Sequence, residues 1–182
     1  MDHTEPVEVR IQQGPVPAGM LQSLGRLTVA FQHMEAGLAH MIWRVADIGG
    51  ETAAIVTSGL TMRALQEKVS SLLRHHWAAV WQERGDALLR RVEKRTAERN
   101  TLVHSLWYSS DTTEAAVRFK SAVRGDRLKQ GFTAVGVSEV ERLADDIDEV
   151  AGQLAALGNE LYPNFAQRHL LAKPPHSAQC PR

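Results

Sequence analysis

Arg99, Asn100 and His104 are the residues whose types and spacing most suggest a chemical role. A histidine side chain exchanges protons near neutral pH, and an arginine carries a fixed charge on a planar donor group that matches phosphate oxygens. Together they suit cleavage of an RNA phosphodiester. His104 would move a proton to or from the 2′-hydroxyl or the leaving oxygen, and Arg99 would stabilise the charged phosphorane. This scheme requires neither a metal ion nor a cofactor.

Helical spacing determines how these three side chains would be presented. Asn100 and His104 are four residues apart, so they lie on one helix face, about 40° apart around the axis. The asparagine amide can therefore orient the imidazole or contact the same ligand. Arg99 and His104 are about 140° apart around the axis and roughly 7.5 Å apart along it. The long arginine side chain can reach round the helix towards a common pocket.

Arg99 stands where the apolar pattern of its own helix requires a core residue. The stripe runs through Leu89, Val92, Thr96, Arg99, Val103 and Leu106. Because a buried unpaired guanidinium is very costly, Arg99 has to meet a partner or a cleft. A structural interpretation also fits, in which Arg99 and His104 form a buried polar pair that fixes helix register or a dimer contact.

The elements that position these residues are predicted to be helices. Four segments carry apolar residues at alternating steps of three and four: residues 24–48, 62–80, 86–106 and 140–161. Gly49-Gly50 ends the first segment, and Ser138 with Glu141 forms a capping box at the start of the fourth. Steps of 3.5 residues on average indicate near-parallel packing. We therefore predict an all-α fold, an up-and-down four-helix bundle.

Residues 116–137 alternate in the manner of β-strands. The alternating residues are Val117, Arg118, Phe119, Lys120, Ser121, Ala122 and Val123. With Gly125-Asp126 suited to a turn, the pattern predicts a short β-hairpin between the third and fourth helices, although residues 114–124 also fit a helix.

The predicted hairpin and its approach carry candidate RNA-binding residues. The basic ones are Arg118, Lys120, Arg124, Arg127 and Lys129, with Asp126 as the one acid among residues 118–130. They suit phosphate binding near Arg99, and an ordinary solvated face explains them equally well. Trp107 and Tyr108 suit stacking on a base, although a bundle edge or a dimer interface also accounts for them.

Residues 99–104, hereafter the 99–104 motif, resemble the R-x4-H motif of HEPN domains, and the polar Asn100 directly after Arg99 is typical of that pattern. The resemblance covers roughly residues 21–161. It implies the HEPN four-helix fold and a metal-independent endoribonuclease, often a toxin or phage-defence component. It also implies a homodimer with two motifs facing one cleft, and an antitoxin as a protein partner. By this resemblance Arg99 and His104 are catalytic and Asn100 is supporting. The alternative is a catalytically silent helical module that binds RNA, a nucleotide or a protein, or a dimeric scaffold.

Composition narrows the class of protein further. The chain of 182 residues has 21 basic and 21 acidic side chains, so no global charge indicates nucleic acid or membrane. The one cysteine, Cys180, excludes a disulfide framework, and no histidine pair has the i, i+4 spacing of a metal site. Without a signal peptide or an apolar span, we expect a cytoplasmic protein with no membrane partner.

Both ends of the chain are rich in proline and show no sustained helical period. We therefore expect a flexible N-terminal arm over residues 1–18, a helical domain over residues 19–165 and a flexible tail over residues 166–182.

Overall fold

The computed structural model describes residues 11–12, 15–76, 78–110, 115–124 and 127–165. Within these ranges the chain forms five α-helices and four β-strands. In chain order they are β1 (Ile11–Gln12), α1 (Ala18–Val45), α2 (Gly50–Thr57), α3 (Met62–His76), α4 (Ala79–Val103), β2 (Leu106–Ser110), β3 (Ala116–Arg124), β4 (Arg127–Val135) and α5 (Val137–Leu161). The strands form one antiparallel sheet in the order β1-β2-β3-β4.

The mostly helical character of the chain is confirmed, and α1, α3, α4 and α5 correspond to the four predicted segments. The structure has a fifth helix, α2, which was not predicted. Its apolar residues do not form one stripe: Ala53 is buried, whereas Ile55 and Val56 are exposed. An eight-residue helix of this kind leaves no period in the sequence.

The end of the third predicted helix also needs correction. α4 ends at Val103, and Leu106 begins strand β2. The predicted hairpin is confirmed as β3 and β4, paired from Ala116↔Val135 to Arg124↔Arg127, and the helical alternative for residues 114–124 was wrong. The predicted N-terminal arm contributes β1, which pairs with β2. Residues 1–10, 13–14 and 166–182 lie outside the described residues, so the predicted tail does too.

The chain divides into two compact units, and the first comprises Met1–His33 and Arg91–Val150. Its buried core comes from α1, α4, α5 and the base of the sheet: Met20, Leu27, Ala30, Phe31, Val92, Leu102, Ala116, Val117, Val135, Val140, Leu143, Ala144, Ile147 and Val150. Acidic residues of α5 pair with α1 on one side and α4 on the other, as in Arg26–Asp145 and Arg95–Asp146. Such solvent-accessible pairs contribute little stability each, so burial of the apolar stripe holds this unit together.

The second unit comprises Met34–Arg90 and Ala151–Arg182. Its core includes Met34, Leu38, Met41, Ile42, Ala53, Met62, Leu65, Val69, Leu73, Leu88, Leu154, Leu157 and Phe165. The Trp43 indole donates a hydrogen bond to the Thr57 hydroxyl at 3.0 Å, which ties α2 to α1. Arg84 donates to Glu160 and lowers the pKa of that carboxyl. Among the described residues, no helix is long and apolar enough to cross a membrane.

Gly85 permits a close approach between α4 and α3. A Cβ atom built at Gly85 would lie 2.5 Å from Leu73 Cδ1, and Leu73 is only 1% exposed. We predict that Gly85→Ala lowers the free energy of unfolding by about 1–3 kcal/mol, because the added methyl overpacks the core. Gly152→Ala, on α5, is the control. Its Cβ would meet nothing within 4 Å, so the variant should be more stable by about 0.5–1 kcal/mol. Urea denaturation followed by circular dichroism measures both, and equal changes would contradict the packing assignment.

Candidate functional site

The 99–104 motif lies at the carboxyl end of α4, where helix carbonyls lose their partners within the helix. Other donors satisfy them here. The Thr101 carbonyl accepts from the Ser105 hydroxyl at 2.5 Å, and the Leu102 carbonyl accepts from the Trp107 indole at 3.0 Å. The backbone N–H of His104 donates to the Asn100 carbonyl at 3.2 Å. The helical turn therefore continues to His104, one residue beyond α4, and Trp107 closes the helix end.

Strand β3 brings two of the predicted RNA-binding residues to the same turn. Arg118 Nη1 lies 3.4 Å from the Thr101 carbonyl oxygen, and Lys120 Nζ lies 3.4 Å from the Thr101 hydroxyl. Thr101 stands in the middle of the 99–104 motif. Two cations that follow the motif in sequence thus border the helical turn that precedes His104.

The register of the sheet collects the basic residues of the hairpin on one side. Trp107 is paired with Arg118 across β2 and β3, and residues 124 and 127 are paired across β3 and β4. Because successive strand residues alternate between faces, positions 107, 118, 120, 124, 127 and 129 belong to one face. We call it the basic face. By register, positions 118, 120, 124 and 127 of the predicted RNA contacts therefore belong to one face, and Arg118 and Lys120 of that face contact α4.

The opposite side of the sheet carries aromatic rings. Tyr108, Phe119 and Phe132 occupy this aromatic face, with ring centroids 6.4 Å apart for Tyr108 and Phe132 and 4.8 Å apart for Phe119 and Phe132. Phe132 is 55% exposed. Trp107 and Tyr108, which sequence analysis grouped as stacking residues, lie on opposite faces because they are neighbours in a strand. Phe132, which has the most exposed of these rings, was not predicted.

Arg99 contacts an aromatic ring and an amide. Its guanidinium lies over the Phe31 ring of α1, 4.3 Å from the centroid, and its Nη1 donates to Asn100 Oδ1 at 3.1 Å. Arg99 Nε is buried and has no hydrogen-bond partner within the described part of the chain. Arg95, one turn earlier, pairs with both Glu98 and Asp146. Arg99 makes no ion pair with any described residue.

The structure does not bring Asn100 and His104 together in the expected way. The His104 side chain is exposed and makes no hydrogen bond with any residue in the described ranges. Asn100 instead accepts from Arg99, so it positions the guanidinium and not the imidazole. Sequence analysis missed Phe31 and Thr101, because their contacts depend on which other elements pack against α4.

No protein-family model, no curated protein and no solved structure matches this chain. The HEPN resemblance is thus carried by the 99–104 motif and the helix order alone. In the part of the chain that the structure describes, no group of three or more His, Cys, Asp or Glu residues is arranged to hold a metal ion.

We predict that Trp107→Phe lowers the free energy of unfolding by about 1–3 kcal/mol, because the Leu102 carbonyl loses its indole donor and some packing volume is lost. Tyr108→Phe is the matched control. The Tyr108 hydroxyl makes no hydrogen bond with a described residue, so its removal should change stability by less than about 0.5 kcal/mol. Urea denaturation of both variants gives the comparison. Equal losses would show that Trp107 does not close the helix end.

Proposed function

We propose that this protein is a metal-independent endoribonuclease of the HEPN type, with Arg99 and His104 as catalytic residues and Asn100 in support. The observation that supports it best is the approach of Arg118 and Lys120 to Thr101, at 3.4 Å each. Residues of a separate strand thereby add positive charge beside the turn that leads to His104. RNA binding depends chiefly on such phosphate contacts. The proposal includes the finer fold as well, an up-and-down four-helix bundle formed by α1, α3, α4 and α5.

The proposed reaction is an internal transfer at phosphorus. The 2′-oxygen of the ribose attacks the adjacent phosphate and forms a P–O2′ bond, while the P–O5′ bond breaks. One base removes the proton of the 2′-hydroxyl, and one acid gives a proton to the leaving 5′-oxygen. His104 is exposed to an approaching RNA strand and has the chemistry for either step. The products are a 2′,3′-cyclic phosphate and a 5′-hydroxyl.

Arg99 would stabilise the charge that develops on the phosphorane oxygens. A guanidinium that is already paired with carboxylates, as Arg95 is, gains little from a phosphate. Arg99 has no such pair among the described residues, and Phe31 and Asn100 hold it in place. Preorganised charge of this kind lowers a barrier because it needs no rearrangement during the reaction.

A homodimer would complete the site. Each chain supplies one histidine to the motif, whereas the reaction needs both a base and an acid. Two motifs that face one cleft would provide His104 for one role and His104 of the partner subunit for the other. The proposal extends to a role as a toxin or phage-defence component in the cytoplasm, with an antitoxin as a protein partner. That role rests on the HEPN resemblance.

We expect purified protein to cleave labelled single-stranded RNA in the presence of EDTA and to leave 2′,3′-cyclic phosphate ends. His104→Ala should lower the rate at least 100-fold, because general acid–base catalysis commonly contributes about 10²–10⁴-fold. Gel electrophoresis with end-group analysis measures this, and circular dichroism checks that the variant is folded.

His75→Ala is the control for that experiment, since His75 is exposed on α3, outside the motif. It should retain full activity. Full activity of His104→Ala would exclude the mechanism, and loss of activity in both variants would point to a folding defect.

We also predict that Lys120→Ala weakens RNA binding and makes it less dependent on salt. Removing one phosphate contact should reduce the slope of log affinity against log salt by about one. Binding is measured by fluorescence anisotropy in a His104→Ala background, so that the RNA stays intact. Lys68→Ala, an exposed lysine on α3, should leave the slope unchanged. An unchanged slope in Lys120→Ala would show that the basic face does not bind RNA.

A catalytically silent RNA-binding module is the second candidate, and one observation favours it. The Asn100 side chain is bonded to Arg99 and not to His104, so the imidazole has no orienting partner among the described residues. Under this function Arg99→Ala weakens RNA binding and no RNA is cleaved at any protein concentration. The EDTA cleavage assay separates the two candidates directly.

A further inference from the structure

A cavity of about 490 Å³ opens in the first unit between α4 and α5, with Arg118 of β3 in its wall. This volume lies within the usual range for pockets that bind small molecules, about 300–1,000 Å³. Thr101 lines the cavity and also belongs to the 99–104 motif. The cavity therefore adjoins the proposed RNA site, although neither Arg99 nor His104 lines it.

Some of the charged residues around the cavity have ion-pair partners, and others have none among the described residues. Arg95 Nη1 lies 2.6 Å from Glu98 Oε2, and Arg95 Nη2 lies 2.9 Å from Asp146 Oδ2, so these three groups compensate one another. Arg118, Arg142 and Glu139 also line the cavity. None of these last three makes an ion pair with a described residue. A matching ligand has an anionic group for the arginines and hydrogen-bond donors for the carboxylate.

Arg118 is the residue in the wall that most needs a ligand. Among the described residues its Nε is buried without a hydrogen-bond partner, and its Nη1 lies 3.4 Å from the Thr101 carbonyl oxygen. A buried N–H without an acceptor costs stability. A phosphate oxygen is an acceptor that suits a guanidinium well.

The carboxylate of Glu139, which has no ion pair with a described residue, narrows the choice of base. A carboxylate has acceptor oxygens only, so it pairs best with a base edge that offers two adjacent donors. Guanine presents N1–H and N2–H side by side, whereas each of the other three RNA bases offers a single donor group beside an acceptor. A nucleotide with a guanine base thus offers a phosphate to the arginines and two adjacent donors to Glu139.

We propose that this cavity is a base-recognition subsite that binds a guanosine of single-stranded RNA, with its phosphate at Arg118 and Arg142 and its base edge at Glu139. The inference rests on the RNA-binding part of the proposed function and adds to it a substrate preference. Inosine provides a direct probe, because it keeps N1–H and lacks only the N2 amino group.

The experiment compares two short oligoribonucleotides that differ at one position, guanosine or inosine, by fluorescence anisotropy in the His104→Ala protein. We expect the guanosine strand to bind about ten-fold more tightly, the discrimination that one good bidentate contact gives. Adding Glu139→Gln should remove most of the preference. Adding Arg142→Ala should weaken the binding of both strands to the same extent, because both contain the phosphate.

Glu83→Gln, an exposed residue on α4 outside the cavity, is the control and should keep the ten-fold preference. Equal affinity for the two strands would overturn the inference, and so would a preference that Glu139→Gln leaves intact. The outcome is distinct from that of the cleavage assay. A preference for guanosine that depends on Glu139, found without RNA cleavage, would support the subsite and contradict the nuclease. Cleavage without that preference would support the nuclease and contradict the subsite.

Discussion

The candidate site depends on the hydrogen bonds that the last backbone carbonyl groups of α4 accept. Thr101 and Leu102 expose carbonyl groups that the helix itself cannot pair. Their donors are Ser105 in the following turn, Trp107 in β2 and Arg118 in β3. Because these donors come from successive parts of the chain, satisfying one helix end also fixes where the sheet begins and how it faces α4. The position of His104 between helix and sheet follows from the same contacts.

Basic and aromatic residues of the hairpin lie on opposite faces of the sheet, because successive strand residues alternate between faces. Arg118 and Lys120 are on the side that contacts Thr101, and Phe119 is on the other with Phe132 and Tyr108. Positive charge is therefore concentrated beside the last turn of α4 instead of being spread around the strands. The aromatic face carries no charged residue at its described positions, so a polyanion has little electrostatic reason to bind there. Phosphate contacts are accordingly best sought on the basic face.

Arg95 and Arg99 lie one helical turn apart on α4 but have different partners. Arg95 faces α5, where Asp146 and its own neighbour Glu98 compensate it. The Arg99 guanidinium lies instead over the Phe31 ring of α1. A cation over an aromatic face gains attraction without losing its net charge. Packing therefore leaves the Arg99 guanidinium without a carboxylate partner among the described residues, which is the property that an anion-binding role requires.

The sequence by itself determined the four long helical segments, because apolar periods are local properties of the chain, and it predicted the β3–β4 hairpin beside a helical alternative for residues 114–124. It also showed that Arg99 interrupts an apolar stripe and must have a partner. It did not show that α4 stops at Val103, that Trp107 and Tyr108 separate onto two faces, or that α2 exists. Tertiary structure alone decided that Phe31 holds Arg99, that Asn100 turns to the guanidinium, and that Arg118 and Lys120 meet Thr101. Apart from the adjacent pair Arg99 and Asn100, those contacts join residues far apart in the sequence, and their geometry is set by packing between elements, which no local pattern records.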